Sequence, residues 1–282
     1  MATQGVKEII KIKGLSCRTK DGRVKILESI SFTVNEGEYV VLAGPSGAGK
    51  STLIRILGGA AGYLKGLIIE GEALVCGRNV LTVKPSELAG LVSVVLQNPA
   101  SQVLNFTVEE EVAFPLENMG LSEKEISRRV DWALRTTGAL HLRRRSVTDL
   151  SMGELQKIVL ATALAVKPKV LLLDEPAAFL DPVSRRVFYR TLEDIWERMN
   201  LTIIVAEHNL HHVLRKATKL ILLNKKVIAA GPPEAILSKT NLEDYGVQEP
   251  SFIKLCRILK SSIIPRSEED VIKCIKDYVC YQ

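Results

Sequence analysis

Five apolar residues, Tyr39 to Ala43, run without a break into Gly44-Pro45-Ser46-Gly47-Ala48-Gly49-Lys50-Ser51. That junction narrows the possible folds more than any other stretch of the chain. A short run that is apolar at every position reads as a strand buried on both faces, and the glycine-rich segment after it must turn the chain into a helix. The segment fits G-x-x-x-x-G-K-[ST] at each fixed position. Its glycines let the backbone curl until successive N–H groups point at phosphate oxygens. A helix starting near Lys50 turns its positive end the same way, and Leu53, Ile54, Ile56 and Leu57 supply its apolar face. Lys50 is placed to reach the β- and γ-phosphates and Ser51 to offer a hydroxyl to Mg2+, with Thr52 counted among the phosphate-binding residues. The loop alone specifies a nucleoside triphosphate, ATP or GTP, and no particular class of enzyme.

A second apolar run, Val170 to Leu173, ends in Asp174-Glu175. Acids at the carboxyl end of a parallel strand sit where such sheets place ligands. Asp174 is expected to hold Mg2+ through water, and Glu175 to orient or deprotonate the attacking water.

The remaining chain alternates in a way that suits a parallel sheet with crossover helices. Glu8–Ile12, Val24–Leu27, Ile30–Val34 and Leu67–Val75 read as further strands, separated by turn residues such as Lys20-Asp21-Gly22 and Asn35-Glu36-Gly37. Thr107 to Val166 reads mostly as helix, with a capping pattern at Ser122-x-x-Glu125 and a second helix after Ser151. Thr202–Ala206, Leu220–Leu223 and Val227–Ala230 read as strands, with a helix over Pro182 to Arg198. Beyond Thr240, Phe252–Leu259 and Ser267–Val279 read as two amphipathic helices split at Ile264-Pro265.

Composition removes several alternatives. With 282 residues, 46% of them hydrophobic, the chain is long enough for a sizeable core. No apolar run reaches the roughly 18 residues of a membrane span, and Met1 to Lys13 has no apolar segment of the secretory kind. The net charge of +6 suits anionic partners, yet the densest basic run is Arg143-Arg144-Arg145, too short for a nucleic-acid tail. Cys17, Cys76, Cys256, Cys274 and Cys280 are scattered, without a C-x-x-C, and read as reduced thiols rather than a disulfide frame or zinc site.

Between the two halves of the site lies Leu150-Ser151-Met152-Gly153-Glu154, which resembles the L-S-G-G-[QE] signature of ABC ATPases. Gln97 falls at their Q-loop position, Phe179-Leu180-Asp181 resembles their D-loop, and Glu207-His208 their switch histidine. The resemblance covers about Ile9 to Leu237, with the motifs in family order. It implies an α/β fold: a P-loop NTPase cassette with a RecA-like parallel sheet core, an antiparallel β subdomain, a helical subdomain and a C-terminal helical extension. The expected division is an ATPase domain over 1–239, its helical subdomain about 98–166, and an extension over 240–282. It also implies two cassettes packed head to tail with ATP between them. Lys50, Gln97, Glu175 and His208 would then be catalytic, and Ser51, Gln97 and Asp174 would serve Mg2+. Ser151 and the Gly153 backbone would touch the ATP bound by the partner. The implied partners are a second ABC ATPase and an integral membrane transport subunit, at the cytoplasmic side of the cell membrane, with no nucleic acid.

A narrower resemblance lies in Gln97-Asn98-Pro99-Ala100-Ser101-Gln102, in Thr107 to Phe114 and in Gly231-Pro232-Pro233-Glu234. These are similar to segments of the energy-coupling factor (ECF) transporter ATPases, including those of cobalt and nickel uptake. They imply an importer in which a separate membrane subunit selects the solute. The alternatives are an ordinary ABC importer or exporter ATPase, or a soluble ABC protein of DNA repair or translation. Against the last, the span from Ser51 to Leu150 is too short for the long coiled coil of repair proteins, and one cassette is present rather than two.

Three departures stand out. Met152 replaces the first signature glycine, a change that favours a heterodimer with unequal sites over a homodimer. No aromatic stands at Cys17–Thr19 to stack on adenine, leaving Arg18 as the substitute platform. Ala177-Ala178-Phe179 makes the D-loop turn bulkier than usual. His208, His211 and His212 resemble a metal cluster in spacing, but the family role for His208 and a solvated helix for the others is the reading adopted, with no structural metal. Trp132 and Trp196 read as packing residues, Arg143–Arg145 as a solvated loop, and the stripe Phe252, Ile253, Cys256 and Leu259 as a dimer or intramolecular surface.

Overall fold

The computed structural model describes residues 7–259, 261 and 263–280. Part of the Met1–Lys13 reading therefore lies outside the described residues, as does the side chain of Cys280. Among the described residues ten strands alternate with the helices: β1 (Glu8–Thr19), β2 (Lys25–Asn35), β3 (Tyr39–Ala43), β4 (Leu67–Val75), β5 (Arg78–Asn79), β6 (Val92–Val95), β7 (Val170–Asp174), β8 (Thr202–Glu207), β9 (Lys219–Asn224) and β10 (Lys226–Gly231). The helices are α1 (Lys50–Arg55), α2 (Pro85–Leu88), α3 (Val108–Asn118), α4 (Glu123–Thr136), α5 (Met152–Ala165), α6 (Pro182–Met199), α7 (Pro233–Leu237), α8 (Ser251–Ile258) and α9 (Val271–Cys280).

Two sheets form. One is six-stranded in the order β10-β9-β3-β8-β7-β6, parallel from β9 to β6 and closed by antiparallel β10. The other is antiparallel, in the order β2-β1-β4-β5. The all-apolar strands have a physical explanation in the pleat. Tyr39, Val41, Leu171, Leu173, Ile203 and Val205 point into one core, whereas Val40, Leu42, Leu172, Ile204 and Ala206 point into another on the opposite face. With both faces covered, neither set of alternating positions can be polar. Each fully buried aliphatic side chain contributes about 1.5–3 kcal/mol. The second core also takes Ile10, Ile12, Leu27 and Val34 of the antiparallel sheet together with Leu53 and Ile54 of α1. A third core joins α3, α4 and α5 through Val112, Leu116, Leu134 and Ile158.

Several local readings change. Lys25–Leu27 of the first reading and all of Ile30–Val34 belong to one continuous strand, which passes through an irregular pairing at Ser29, at φ 48°, while Val24 lies just before it. Strand β6 has no counterpart in the sequence reading, because Val-Ser-Val-Val is too short to show a period. The segment after His208 is a series of turns, not a solvated helix. Leu210, Val213 and Leu214 are buried there, His211 contacts Glu268 at 2.8 Å, and His212 stacks on Tyr189. Arg143 is not a solvated loop residue either, since its guanidinium pairs with Glu109 at 2.5 Å and Asp131 at 3.8 Å.

The cysteine reading is corrected as well: Cys256 of α8 and Cys274 of α9 form a disulfide, while Cys17 and Cys76 are free. Their separation by 18 residues hid the pairing, which two packed helices create. Leu242, Val247, Phe252 and Ile253 join the main core, so the segment after Thr240 packs onto the sheet assembly. Trp196 meets Tyr39 edge-on at 5.7 Å and donates its ring N–H to Gly37 at 2.8 Å.

Candidate functional site

The carboxyl ends of β3, β7 and β8 lie side by side. Ala43 pairs with Glu207 and Asp174 with Ala206. Each strand brings its end or the residues after it to one edge of the sheet: the glycine loop after β3, Asp174-Glu175 at the end of β7, and His208 after β8.

The loop is shaped by glycine where no side chain fits. Gly47 and Gly49 have φ of 78° and 97°, in the left-handed region. A Cβ on Gly44 would come within 2.1 Å of the Leu223 carbonyl oxygen, and one on Gly49 within 2.6 Å of Leu27. The turn between β9 and β10 braces the loop from outside, with the Lys225 N–H donating to the Ala48 oxygen at 3.0 Å. A Cβ on Gly246, beyond α7, would meet Pro45 at 3.1 Å, so the far end of the chain also touches this loop. Ser46 and Gly47 are exposed, and Lys50 is 4% exposed.

The polar groups converge on Glu175. Lys50 donates to the carbonyls of Gly44 at 2.8 Å and Pro45 at 3.1 Å, and its Nζ lies 3.5 Å from Glu175 Oε1. Gln97 Nε2 donates to Glu175 Oε2 at 3.3 Å, and His208 Nδ1 lies 3.3 Å from the same oxygen. Glu175 is held at φ 44°, a conformation that costs a non-glycine residue about 1–3 kcal/mol and clusters at working sites. Its N–H donates to the Ala206 oxygen at 2.9 Å, which fixes it against β8. Beside this group the Ser51 hydroxyl donates to Asp174 Oδ1 at 2.9 Å. Burial pushes the Asp174 carboxyl above the usual carboxylate range, and the Ser51 bond opposes that rise.

These donors suit a nucleotide and a hard cation. Ser51 and Asp174 offer adjacent oxygens, the donor type Mg2+ takes. The open cradle at Gly47, where a Cβ would meet nothing within 4 Å, has room for phosphate. Gln97 is attached to Glu175, with no bond to the Ser51–Asp174 pair among its described contacts. Its loop is held by Gln102, whose amide accepts from Leu96 N at 2.7 Å and donates to the Val94 oxygen at 3.1 Å.

Ser151 and Gly153 lie at the start of α5. Ser151 caps that helix in a reciprocal box with Glu154, accepting from Glu154 N at 3.3 Å while Ser151 N donates to its carboxylate at 2.9 Å. Met152, in the first turn, is 38% exposed. Arg18 pairs with Glu70 at 3.0 Å on the outer sheet. Phe179 is 55% exposed in the turn before α6.

One pairing escaped the sequence reading, in which Glu207 stood only as the neighbour of His208. Glu207 is 6% exposed and accepts a hydrogen bond from the buried Tyr189 hydroxyl of α6. Burial pushes this carboxyl up to about 7. The visible signal was an acid at the end of a buried strand that is apolar from Ile203 to Ala206. Nothing in sequence tied it to Tyr189, 18 residues earlier.

The family model for ABC transporters matches residues 27–178. A putative ABC transporter ATP-binding protein of Pyrococcus horikoshii is 34% identical over 274 residues, covering 95% of this chain and 96% of that protein. The energy-coupling factor transporter ATP-binding protein EcfA1 of Streptococcus pneumoniae is 33% identical over 259 residues, covering 91% of this chain and 92% of that protein. Among solved structures, cbiO1 from Clostridium perfringens, described as part of the ABC transporter complex cbiONQ, superposes with a TM-score of 0.73. It has 31% identity and covers 84% of this chain and 95% of that one.

Proposed function

This chain belongs to the ABC transporter ATPase family, and from that premise we propose that it drives solute uptake as the ATP-hydrolysing subunit of an ECF-type transporter. The similarity to EcfA1 and to cbiO1 supports the ECF reading. The observation that carries hydrolysis is the convergence of Lys50, Gln97 and His208 on the Glu175 carboxylate, beside the Ser51–Asp174 bond.

In this reading the loop N–H groups and Lys50 would hold the triphosphate, and Ser51 and Asp174 would hold Mg2+. Gln97, hydrogen-bonded to Glu175, would serve the same ion. When bound, Mg2+ would supply charge neutralisation to the triphosphate. Glu175 orients the attacking water and takes its proton. Gln97 and His208 hold the carboxylate in place. Rate acceleration is then chiefly positioning and electrostatic stabilisation.

The chain pairs head to tail with a second ABC ATPase, lending Ser151 and the Gly153 backbone to the partner's ATP. It docks on an integral membrane subunit at the cytoplasmic face. Residues 1–239 act as the ATPase domain, with a helical subdomain about 98–166, and 240–282 as an extension. Among the described residues no helix is long and apolar enough to cross a membrane, so contact with the bilayer would run through that subunit. Met152 crowds the seat it offers the partner, which favours a heterodimer.

Purification from membranes, with identification of the bound subunits and ATPase assay of parent and Glu175→Gln complexes, tests the proposal. It predicts a membrane subunit, a second ATPase and loss of turnover in the variant. Recovery of ribosomes or DNA alone, or turnover undiminished in Glu175→Gln, would overturn it.

A further inference from the structure

The contact between His208 and Glu175 joins two separate turns, one after β7 and one after β8. Something must hold those turns in register. Helix α6 touches both. Arg185 donates from Nε to the Ala177 oxygen at 3.3 Å and from a terminal nitrogen to the Leu180 oxygen at 3.3 Å, gripping the segment that follows Glu175. Four residues on, and so on the same helical face, Tyr189 donates its hydroxyl to Glu207, the residue before His208.

We propose that Glu207, held by Tyr189, is a positioning residue for ATP hydrolysis: its buried carboxyl anchors the end of β8 so that the turn presents His208 to Glu175. The proposal rests on the reading of Glu175 and His208 as the hydrolytic pair. It also explains an otherwise costly choice of residue. The preceding positions of β8 are all buried, Thr202 through Ala206, and an apolar sixth residue would pack with no desolvation penalty. A carboxyl there adds one thing that an apolar residue cannot, a directional bond to α6. Burial holds that carboxyl up at about 7, so in neutral solution it carries a proton much of the time and resembles an amide in hydrogen bonding. Tyr189 is itself fixed, edge-on to Phe188 at 5.6 Å and stacked on His212 at 6.4 Å.

The test is steady-state ATP hydrolysis by the full chain in the complex with which it co-purifies. Tyr189→Phe removes one hydroxyl and should lower kcat by about tenfold, with KM for ATP within about twofold of the parent. Glu207→Gln keeps an acceptor for Tyr189 and should stay within about threefold of the parent kcat. In a His208→Ala background, Tyr189→Phe should add less than about a twofold further loss, because both act on one contact. A role confined to stability would not give that non-additivity. If Tyr189→Phe does not fold, Glu207→Leu, which removes the acceptor at similar volume, is measured in the same two backgrounds with the same expectations. Parent-like kcat in the variant, a matching rise in KM, or a full tenfold loss on top of His208→Ala overturns the proposal. Such a result, with Glu175→Gln still inactive, would leave the assignment of Glu175 standing.

Discussion

Ser51 and Asp174 stand 123 residues apart in the chain and 2.9 Å apart in space, hydroxyl donating to carboxylate. Asp174 ends one apolar parallel strand and Ser51 opens the helix that follows another, and the bond marks the point at which the two halves of the candidate nucleotide site meet. It also defines the pair of oxygens on which a divalent cation would be held. If that is their task, Ser51→Ala and Asp174→Asn each lower Mg2+-dependent ATP turnover by on the order of 10²-fold. The loss should appear in Mg2+ titrations as a weaker midpoint for the cation. Wild-type Mg2+ dependence in both variants would exclude the pair from metal binding.

Lys50 and Glu175 form the adjoining contact, 3.5 Å from Nζ to Oε1. Lys50→Ala should abolish tight nucleotide binding, measured by displacement of a fluorescent ATP analogue. Glu175→Gln should leave binding within about threefold while reducing turnover by about 10³-fold. The split between binding and turnover separates the phosphate-holding role from the water-activating one. Equal effects of both substitutions on binding would contradict it.

Gly44 is wedged against the carboxyl end of β9. Its substitution by alanine would drive a Cβ to 2.1 Å from the Leu223 carbonyl oxygen, a backbone atom that has little room to retreat. Gly44→Ala is expected to destabilise the fold by about 1–3 kcal/mol, read as a fall in Tm. Gly47→Ala meets no neighbour within 4 Å and is opposed only by its φ of 78°. Its cost should be about 1 kcal/mol. A larger loss at Gly47 than at Gly44 would show that the wedge is unimportant.

Glu207 predicts a pH dependence of stability. Its folded-state pKa is raised to about 7 by burial, with Glu175 adding to the rise and Tyr189, His208 and Arg185 opposing it. For a group raised in the folded state, the stabilising contribution is full below the ordinary carboxyl range and is lost as pH climbs through about 7. The parent therefore forfeits up to about 3 kcal/mol from this group between pH 5 and 8.5. Glu207→Gln should not. Its stability relative to the parent, by urea unfolding, should improve across that interval. A difference that is the same at both pH values would sink the prediction.

The glycine loop, the Asp174-Glu175 pair and the apolar strands were legible because each is local. A buried parallel strand has to be apolar at every position, and a phosphate-binding turn has to use glycine at fixed intervals. The six-stranded sheet follows from those runs, apart from β6, whose four residues carry no period. Arg143, His211 and His212 read as solvated because their carboxylate and aromatic partners lie on other elements. The Cys256–Cys274 bond escaped for the same reason, since the spacing of two cysteines does not reveal that their helices pack together.

The sequence by itself pointed to the chemistry: a loop patterned for a nucleoside triphosphate, two acids at a strand end and a family order of motifs that left one class of ATPase. Only the tertiary structure decided the partnerships. It brought Gln97, His208 and Lys50 to a single carboxylate, set Gly246 against Pro45, and joined Glu207 to Tyr189. The physical reason is range. Backbone conformation and burial pattern are dictated by neighbours a few residues away, whereas a hydrogen bond between side chains depends on how whole elements pack, which no local pattern encodes.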